Sequence, residues 1–223
     1  MVEPSDGQTP LPRKHGRRYA PAAERNREPI LAVLRVHLPR RGTVLEIASG
    51  TGQHAVHCAP ALAPRHWLTS DPNPAARASI AAWLAAADAD NLHGPLTVDV
   101  TEADWPQAIQ TWRQAHDPVP PVTAVVAINL IHISPWAACE GLIQGAAMLL
   151  PVGGVLYLYG PYYRQGATAP SNEAFDASLR AQDPNWGVRE LETVVALAAQ
   201  HQFSLTQVIE MPANNLSVLF QKT

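Results

Sequence analysis

From Tyr19 onward the chain alternates short apolar runs with longer segments in which apolar residues recur at helical spacing. The short runs are Thr43 to Ala48 (TVLEIA), His66 to Ser70 (HWLTS), Leu96 to Val100 (LTVDV), Val122 to Asn129 (VTAVVAIN) and Gly154 to Gly160 (GVLYLYG). Their hydrophobicity is continuous rather than alternating, which suits strands covered on both faces of a parallel sheet. Between them, Gly52 to Leu62, Ala75 to Ala87, Trp105 to His116 and Trp136 to Leu150 read as helices. Ser134 is placed to cap the last of these, with Pro135 in its first turn and Pro151, Gly153 and Gly154 after its end. Strand and helix repeated in this way predict a doubly wound α/β sheet.

After residue 160 the rhythm changes. Residues 161–187 form a polar and aromatic insertion, a helix resumes from Val188 to about His201, and two strand-like runs follow, Phe203 to Glu210 and Leu216 to Gln221. The connection between those runs, MPANN, is too short for a parallel crossover, so an antiparallel hairpin with a reversed last strand is expected.

Composition narrows the class. With 223 residues, 47% of them hydrophobic, and a net charge of −3, the chain reads as globular rather than disordered. Residues 1–18 hold three prolines, two glycines and the cluster Arg13, Lys14, Arg17 and Arg18, and are expected to be a flexible basic tail. That tail carries four basic and two acidic side chains, which leaves residues 19–223, taken as a single domain, with a net charge of −5. An acidic folded part disfavours nucleic acid as a partner. The opening residues lack the apolar run of a signal peptide, and later apolar runs are broken well short of a membrane span. A soluble, cytoplasmic protein with no membrane partner is expected. Cys58 and Cys139 lie far apart in the sequence and read as small buried hydrophobes. Nothing in the sequence sets an oligomeric state.

The stretch VLEIASGTGQHA, Val44 to Ala55, concentrates the chemistry. An apolar strand runs into a glycine turn and then a helix, whose N-terminal N–H groups face whatever sits above the strand. Gly50 and Gly52 permit close backbone approach and positive φ. Taken only as G-x-G-x-x-A, with Ala55 third, the pattern also fits a nicotinamide dinucleotide oxidoreductase. Glu46 is a carboxylate inside an apolar strand, which requires a partner. Asp71 ends the second strand, where an acidic group accepts hydrogen bonds from ribose hydroxyls of an adenosyl ligand.

The segment from Glu46 to Gly52 resembles the E/D-x-G-x-G-x-G pattern of class I S-adenosylmethionine-dependent methyltransferases, with Ala48 in place of the first glycine. The resemblance implies that Asp99, in TVDV, meets the adenine amino group, and that the sheet is a Rossmann-like, seven-stranded, mostly parallel one closed by a C-terminal antiparallel hairpin. The reversed hairpin ranks this family above a dinucleotide enzyme. RYAPAAERNREPIL, NLIHISPW, SNEAFDASL, DPNWGVREL and MPANNLS look like the corresponding stretches of a widespread methyltransferase-like family, long catalogued as a domain of unknown function. Membership implies S-adenosyl-L-methionine as cofactor and leaves the acceptor unnamed; a small molecule is expected. A catalytically silent adenosyl-binding interaction protein is the third reading.

Ligands collect beyond the C-terminal ends of strands in such sheets. His132, just after the fourth strand, is a candidate general base, or else a group that bonds the backbone of its own turn. Asn129, a polar amide ending an apolar strand, is expected in the cofactor site. His54 follows Gly52 closely and is expected beside the cofactor; with His57 and Cys58 it has metal-like spacing, but no further ligand pair completes a metal set. Arg25 is a candidate partner for the cofactor's carboxylate, in a segment that reads equally as a surface amphipathic helix. In the insertion, Asp176 is a second candidate catalytic residue, or an ion pair with Arg180 four positions on, while Ser171 is placed to cap a helix starting at Asn172. Tyr162, Asn172 and Trp186 are expected to wall the acceptor pocket, and Asn214 and Asn215 to make the hairpin turn or touch ligand.

Overall fold

A computed structural model describes residues 16–223. Most of the expected tail therefore lies outside the described residues. In chain order the elements are α1 (Pro21–His37), β1 (Thr43–Ile47), α2 (Gln53–Ala61), β2 (His66–Ser70), α3 (Pro74–Leu84), β3 (Leu92–Leu96), α4 (Trp105–Ala115), β4 (Val122–Ile128), α5 (Trp136–Leu149) and β5 (Val155–Gly160). The remainder comprises β6 (Tyr162–Tyr163), α6 (Pro170–Gln182), β7 (Arg189–Glu190), α7 (Leu191–Gln200), β8 (Phe203–Met211) and β9 (Asn215–Lys222), with a short 3-10 turn at Pro212–Asn214.

Seven strands form one sheet in the order β3-β2-β1-β4-β5-β9-β8, and β6 pairs with β7 separately. The pairs among β1 to β5 are parallel; β9 runs antiparallel to both β5 and β8, as the short MPANN connection requires. Side chains alternate across the sheet. Leu45 and Ile47 of β1 enter an apolar cluster with α4, α5 and α7, whereas Val44 enters a second cluster with α1 and α2. Glu46 shares the parity of Val44 and therefore points to the α1–α2 side. Because strand order reverses between β1 and β4, the crevice at their C-terminal ends is the natural ligand position. Both strands end there in a left-handed, non-glycine residue, Ala48 with φ 55° and Asn129 with φ 60°.

The third strand differs from expectation. It spans Leu92–Leu96, pairing Trp67 with Leu92 and Ser70 with Leu96, rather than Leu96 to Val100. This strand contains Gly94 and Pro95, which are tolerated because β3 is the sheet edge, where a missing N–H costs little. Asp99 thus lies three residues beyond the strand, exposed, with Oδ1 accepting from the N–H and hydroxyl of Thr101 at 2.9 and 2.7 Å. Two caps also differ. Pro135, not Ser134, flanks α5, and the Ser134 hydroxyl donates to Leu130 O at 2.6 Å. Ala169, not Ser171, flanks α6, which begins two residues earlier than expected, while Ser171 Oγ accepts from Asn214 Nδ2 at 2.9 Å. Among the described residues, no helix is long and apolar enough to cross a membrane.

Candidate functional site

The turn after β1 is built by backbone geometry. Ala48, Gly50 and Gly52 take φ values of 55°, 59° and 90°. A Cβ at Gly52 would stand 3.1 Å from the Cα of Ile80, so glycine there lets α3 lie against the turn. At Gly50 a Cβ would meet only Ala48 O, at 3.9 Å, which leaves the outer surface of the turn open. Ala48 holds the left-handed conformation that glycine adopts freely, at a cost of about 1 kcal/mol. The turn is pinned from β2: Gly50 N–H donates to Asp71 Oδ2 at 2.9 Å and Ser49 N–H to Ser70 O at 2.8 Å. Asp71 Oδ1 accepts from Asn73 N–H at 2.9 Å, so the carboxylate expected at ribose also ties the glycine turn to the start of α3.

Glu46 lies beneath this turn, 1% exposed. Its Oε2 accepts from the indole N–H of Trp67 at 3.1 Å. Burial pushes its carboxyl up to about 7, opposed by hydrogen bonds from Trp67 and Ser49 and reinforced by the nearby charge of Asp71.

The N-terminal segment fastens to the same turn. Arg18 N–H donates to Ser79 Oγ at 2.8 Å, and that hydroxyl donates to Thr51 O at 2.8 Å. Ala20 N–H donates to Gln53 Oε1 at 2.6 Å, which also accepts from Thr51 Oγ1 at 3.0 Å. The indole N–H of Trp83 reaches Arg18 O at 3.1 Å, with the Arg17 guanidinium 4.9 Å above its ring. Residues 16–18, read from sequence as part of the tail, are thus docked on α3. Gln53 opens α2 with its side chain buried, and its Nε2 has no partner among the described residues. Sequence reasoning passed over it, although a polar residue directly after the last glycine of the turn was the available signal. His54 Nε2 donates to Asn26 Oδ1 at 2.8 Å, joining α2 to α1, and burial lowers the imidazole to about 4. Arg25 is exposed on α1.

Across the crevice, Asn129 N–H donates to Tyr159 O at 2.7 Å, and Asn129 O accepts from the N–H groups of His132 and Ile133. His132 is fully buried, with no partner at either ring nitrogen among the described residues. Its ring lies edge-on to Tyr162, centroids 5.0 Å apart, and burial holds it at about 3, so it is neutral. A Cβ at Gly160 would overlap the His132 imidazole, which makes Gly160 the residue that admits this ring. The Tyr162 hydroxyl is also buried, with no partner among the described residues, and its side chain packs in the core. The Asn129–Ser134 turn is fastened by Arg189, which donates to Ile131 O at 2.8 Å and Ser134 O at 2.7 Å, and by Gly187 N–H to His132 O at 2.9 Å. Trp186, half-buried, precedes that glycine.

Asp176 is close by but occupied. Oδ1 accepts from Val188 N–H at 2.7 Å and Oδ2 from Arg180 Nε at 2.8 Å. Asn172 is 6% exposed and donates from Nδ2 to Thr168 Oγ1 and Asn214 O, each at 3.0 Å. The structure therefore brings Glu46, Ala48, Gly50, Gly52, His54 and Asp71 together on one side of the crevice, and Asn129, His132, Tyr162, Asp176 and Trp186 on the other. Among the described residues no group of three His, Cys, Asp or Glu is arranged to hold a metal ion.

Comparison with solved structures reveals the same fold in methyltransferases. An O-methyltransferase family protein from Burkholderia thailandensis superposes with a TM-score of 0.72 at 14% identity, covering 91% of this chain and 57% of that one. Human N-acetylserotonin methyltransferase, solved in complex with SAM, gives 0.69 at 14% identity over 90% of this chain and 52% of the other. An O-methyltransferase family 2 protein from Planctomyces limnophilus, in complex with apigenin, gives 0.64 at 21% identity over 81% and 50%. The chain spans about half the length of these proteins. Residues 17–222 match the family described as "Protein of unknown function (DUF938)", and with nearly the whole sequence covered, the chain belongs to that family, on a methyltransferase fold.

Proposed function

We propose that the chain is a methyltransferase that binds S-adenosylmethionine in the crevice between β1 and β4 and methylates a small molecule. The observation that carries this reading is the glycine turn at the point where strand order reverses, open on its outer surface at Gly50 and pinned by Asp71. The residues fit the cofactor. Gly50 and Gly52 let it approach the backbone, Asp71 retains lone pairs for ribose hydroxyls, and the unpartnered Gln53 Nε2 at the α2 N-terminus suits a carboxylate. Exposed Arg25 on α1 is a second carboxylate partner, and the buried acid Glu46 favours the cofactor's cationic end. The human neighbour's complex with SAM supports the same assignment.

When bound, S-adenosylmethionine supplies an electrophilic methyl: the acceptor's lone pair forms the new bond to carbon, the S–CH3 electron pair stays on sulfur, and the acceptor's proton passes to solvent. The chain contributes orientation and exclusion of water. Asn129, ending β4 in a left-handed conformation, fixes the turn that carries His132. For His132 and Asp176 the geometry supports positioning rather than proton transfer, because the first is neutral and buried and the second already accepts two hydrogen bonds. Asp99, beyond β3, remains the candidate for the adenine amino group. The acidic charge of residues 19–223, taken as one catalytic domain, supports a small acceptor over nucleic acid.

Calorimetry against S-adenosylhomocysteine and against NADH tests the cofactor, with binding of the first alone expected. Binding of NADH alone would replace this reading with the oxidoreductase one. Tight S-adenosylhomocysteine binding with no methyl transfer to any metabolite in a broad library would favour a silent adenosyl-binding protein.

A further inference from the structure

Between α6 and the β8–β9 connection lies a cavity of about 150 Å³, lined by Tyr162, Arg164, Thr168, Asn172, Glu210 and Asn214 among others. It sits at the C-terminal edge of the sheet, because pairing of Gly160 with Leu216 sets the start of β9 beside the end of β5. That is the edge that carries the glycine turn.

Asn172 is the informative residue. It is 94% buried, and both Nδ2 protons are committed, to Thr168 Oγ1 and Asn214 O. Its Oδ1 accepts nothing from the described residues and Asn172 lines the cavity, so an accessible acceptor is left at its wall. The wall opposite is strained: Ala213 and Asn214 are consecutive non-glycine residues at φ 58° and 57°. Ala213 adopts this conformation at a cost on the order of 1 kcal/mol while Asn tolerates it, and together they close the β8–β9 hairpin over the cavity. At the mouth, Arg164 Nη1 and Glu210 Oε1 form an ion pair at 2.6 Å, with both side chains exposed. Paired, they give the entrance no net charge, yet Glu210 Oε2 and the remaining guanidinium N–H groups stay available.

We infer that this cavity binds a small polar molecule whose amine, amide or hydroxyl donor is received by Asn172 Oδ1. Resting on the methyl-transfer reading, it is the acceptor's subsite. The volume is about half the lower bound of drug-sized pockets. With a mostly polar lining, it suits a compact amino alcohol, amide or polyol better than fused aromatic rings.

The test uses the full chain saturated with S-adenosylhomocysteine, titrated by NMR with ethanolamine, glycerol and glycinamide, and separately with catechol and indole. Shifts at the side-chain amide of Asn172 and at Thr168 are expected with the polar probes, at the millimolar affinities such small molecules reach. Asn172→Leu should abolish them. Since that change also removes two structural hydrogen bonds, Ala167→Phe, on an exposed loop residue at the cavity, serves as a second block that spares the fold. It should weaken the polar probes at least tenfold and leave S-adenosylhomocysteine affinity within twofold. Binding of the aromatic probes alone, binding elsewhere, or persistence of the shifts in Ala167→Phe would overturn the inference. Polar probes bound at Asn172 by a chain that does not bind S-adenosylhomocysteine would keep the cavity assignment and sink the methyl-transfer reading instead.

Discussion

Trp67 and Glu46, each 1% exposed on adjacent parallel strands, are joined by an indole N–H donated to Oε2 at 3.1 Å. This pairing places a titrating acid directly beneath the glycine turn. The folded state holds the Glu46 proton up to about pH 7, whereas the ordinary value is 4.5. A group whose folded pKa is raised gives stability below the unfolded pKa that is lost as pH rises through the folded one. Glu46 therefore withdraws on the order of 3 kcal/mol between pH 4.5 and 7. Glu46→Gln keeps an acceptor for Trp67 and should remove that loss. Urea unfolding at pH 5 and pH 8 should show the variant gaining on the parent only at the higher pH; an equal difference at both would refute the assignment.

The buried imidazoles act in the opposite direction. His54 and His132, lowered to about 4 and about 3, are neutral when folded but charge near 6.5 when unfolded. Their stabilising contribution is present above pH 6.5 and is lost as pH falls through 4 and 3. His54→Gln retains a donor for Asn26 and should flatten the fall in stability between pH 6.5 and 4. Ring resonances of His132 should not titrate above about pH 4, whereas a midpoint near 6.5 would contradict the observed burial.

Gly160 and His132 should behave as one unit. Gly160→Ala drives a methyl into the imidazole and is expected to cost about 1–3 kcal/mol. His132→Ala vacates that space, so in the double variant the Gly160→Ala cost should shrink by more than half. Strict additivity in the unfolding free energies would show that the two do not share the space.

Ala48 and Gly52 separate conformation from contact. Ala48→Gly relieves a left-handed alanine and should raise stability by up to about 1 kcal/mol, with S-adenosylhomocysteine affinity kept or improved. Gly52→Ala meets both a φ of 90° and the Ile80 backbone, and should reduce that affinity at least tenfold. Calorimetry on the two variants decides; tighter binding by Gly52→Ala would argue against the crevice as cofactor site.

What the sequence disclosed followed from its local physics. Continuous apolar runs such as VTAVVAIN carry the mark of burial on both faces, and the five-residue MPANN connection left only a hairpin. The third strand escaped because Gly94 and Pro95 are breakers by composition, and only the sheet order, which sequence does not contain, makes them tolerable edge residues. Asp71 was legible as a strand-ending acid, yet its bond to Gly50 spans 21 positions and no spacing rule announces it. His132 was legible by its position after β4, while its complete burial depends on Gly160 and Tyr162, at and just past the end of β5, and on Arg189 in β7, none of them near it in sequence.

Asp176 provides the sharpest separation of roles. If it holds the insertion in place, its value lies in accepting from Val188 N–H and Arg180. Asn at this position keeps an acceptor for Val188 and loses only the ion pair to half-exposed Arg180, so Asp176→Asn should cost about 1 kcal/mol or less. Asp176→Ala strands the buried Val188 N–H and should cost about 1–3 kcal/mol. A residue that moves a proton would differ in turnover alone: Asp176→Asn would again leave stability nearly intact but lower turnover by about 10²–10⁴-fold. Melting curves together with methyl transfer by the folded Asn variant distinguish these outcomes. Turnover within a few-fold of the parent is expected, because what Asp176 supplies to the site is the position of Gly187 against His132, which the amide preserves.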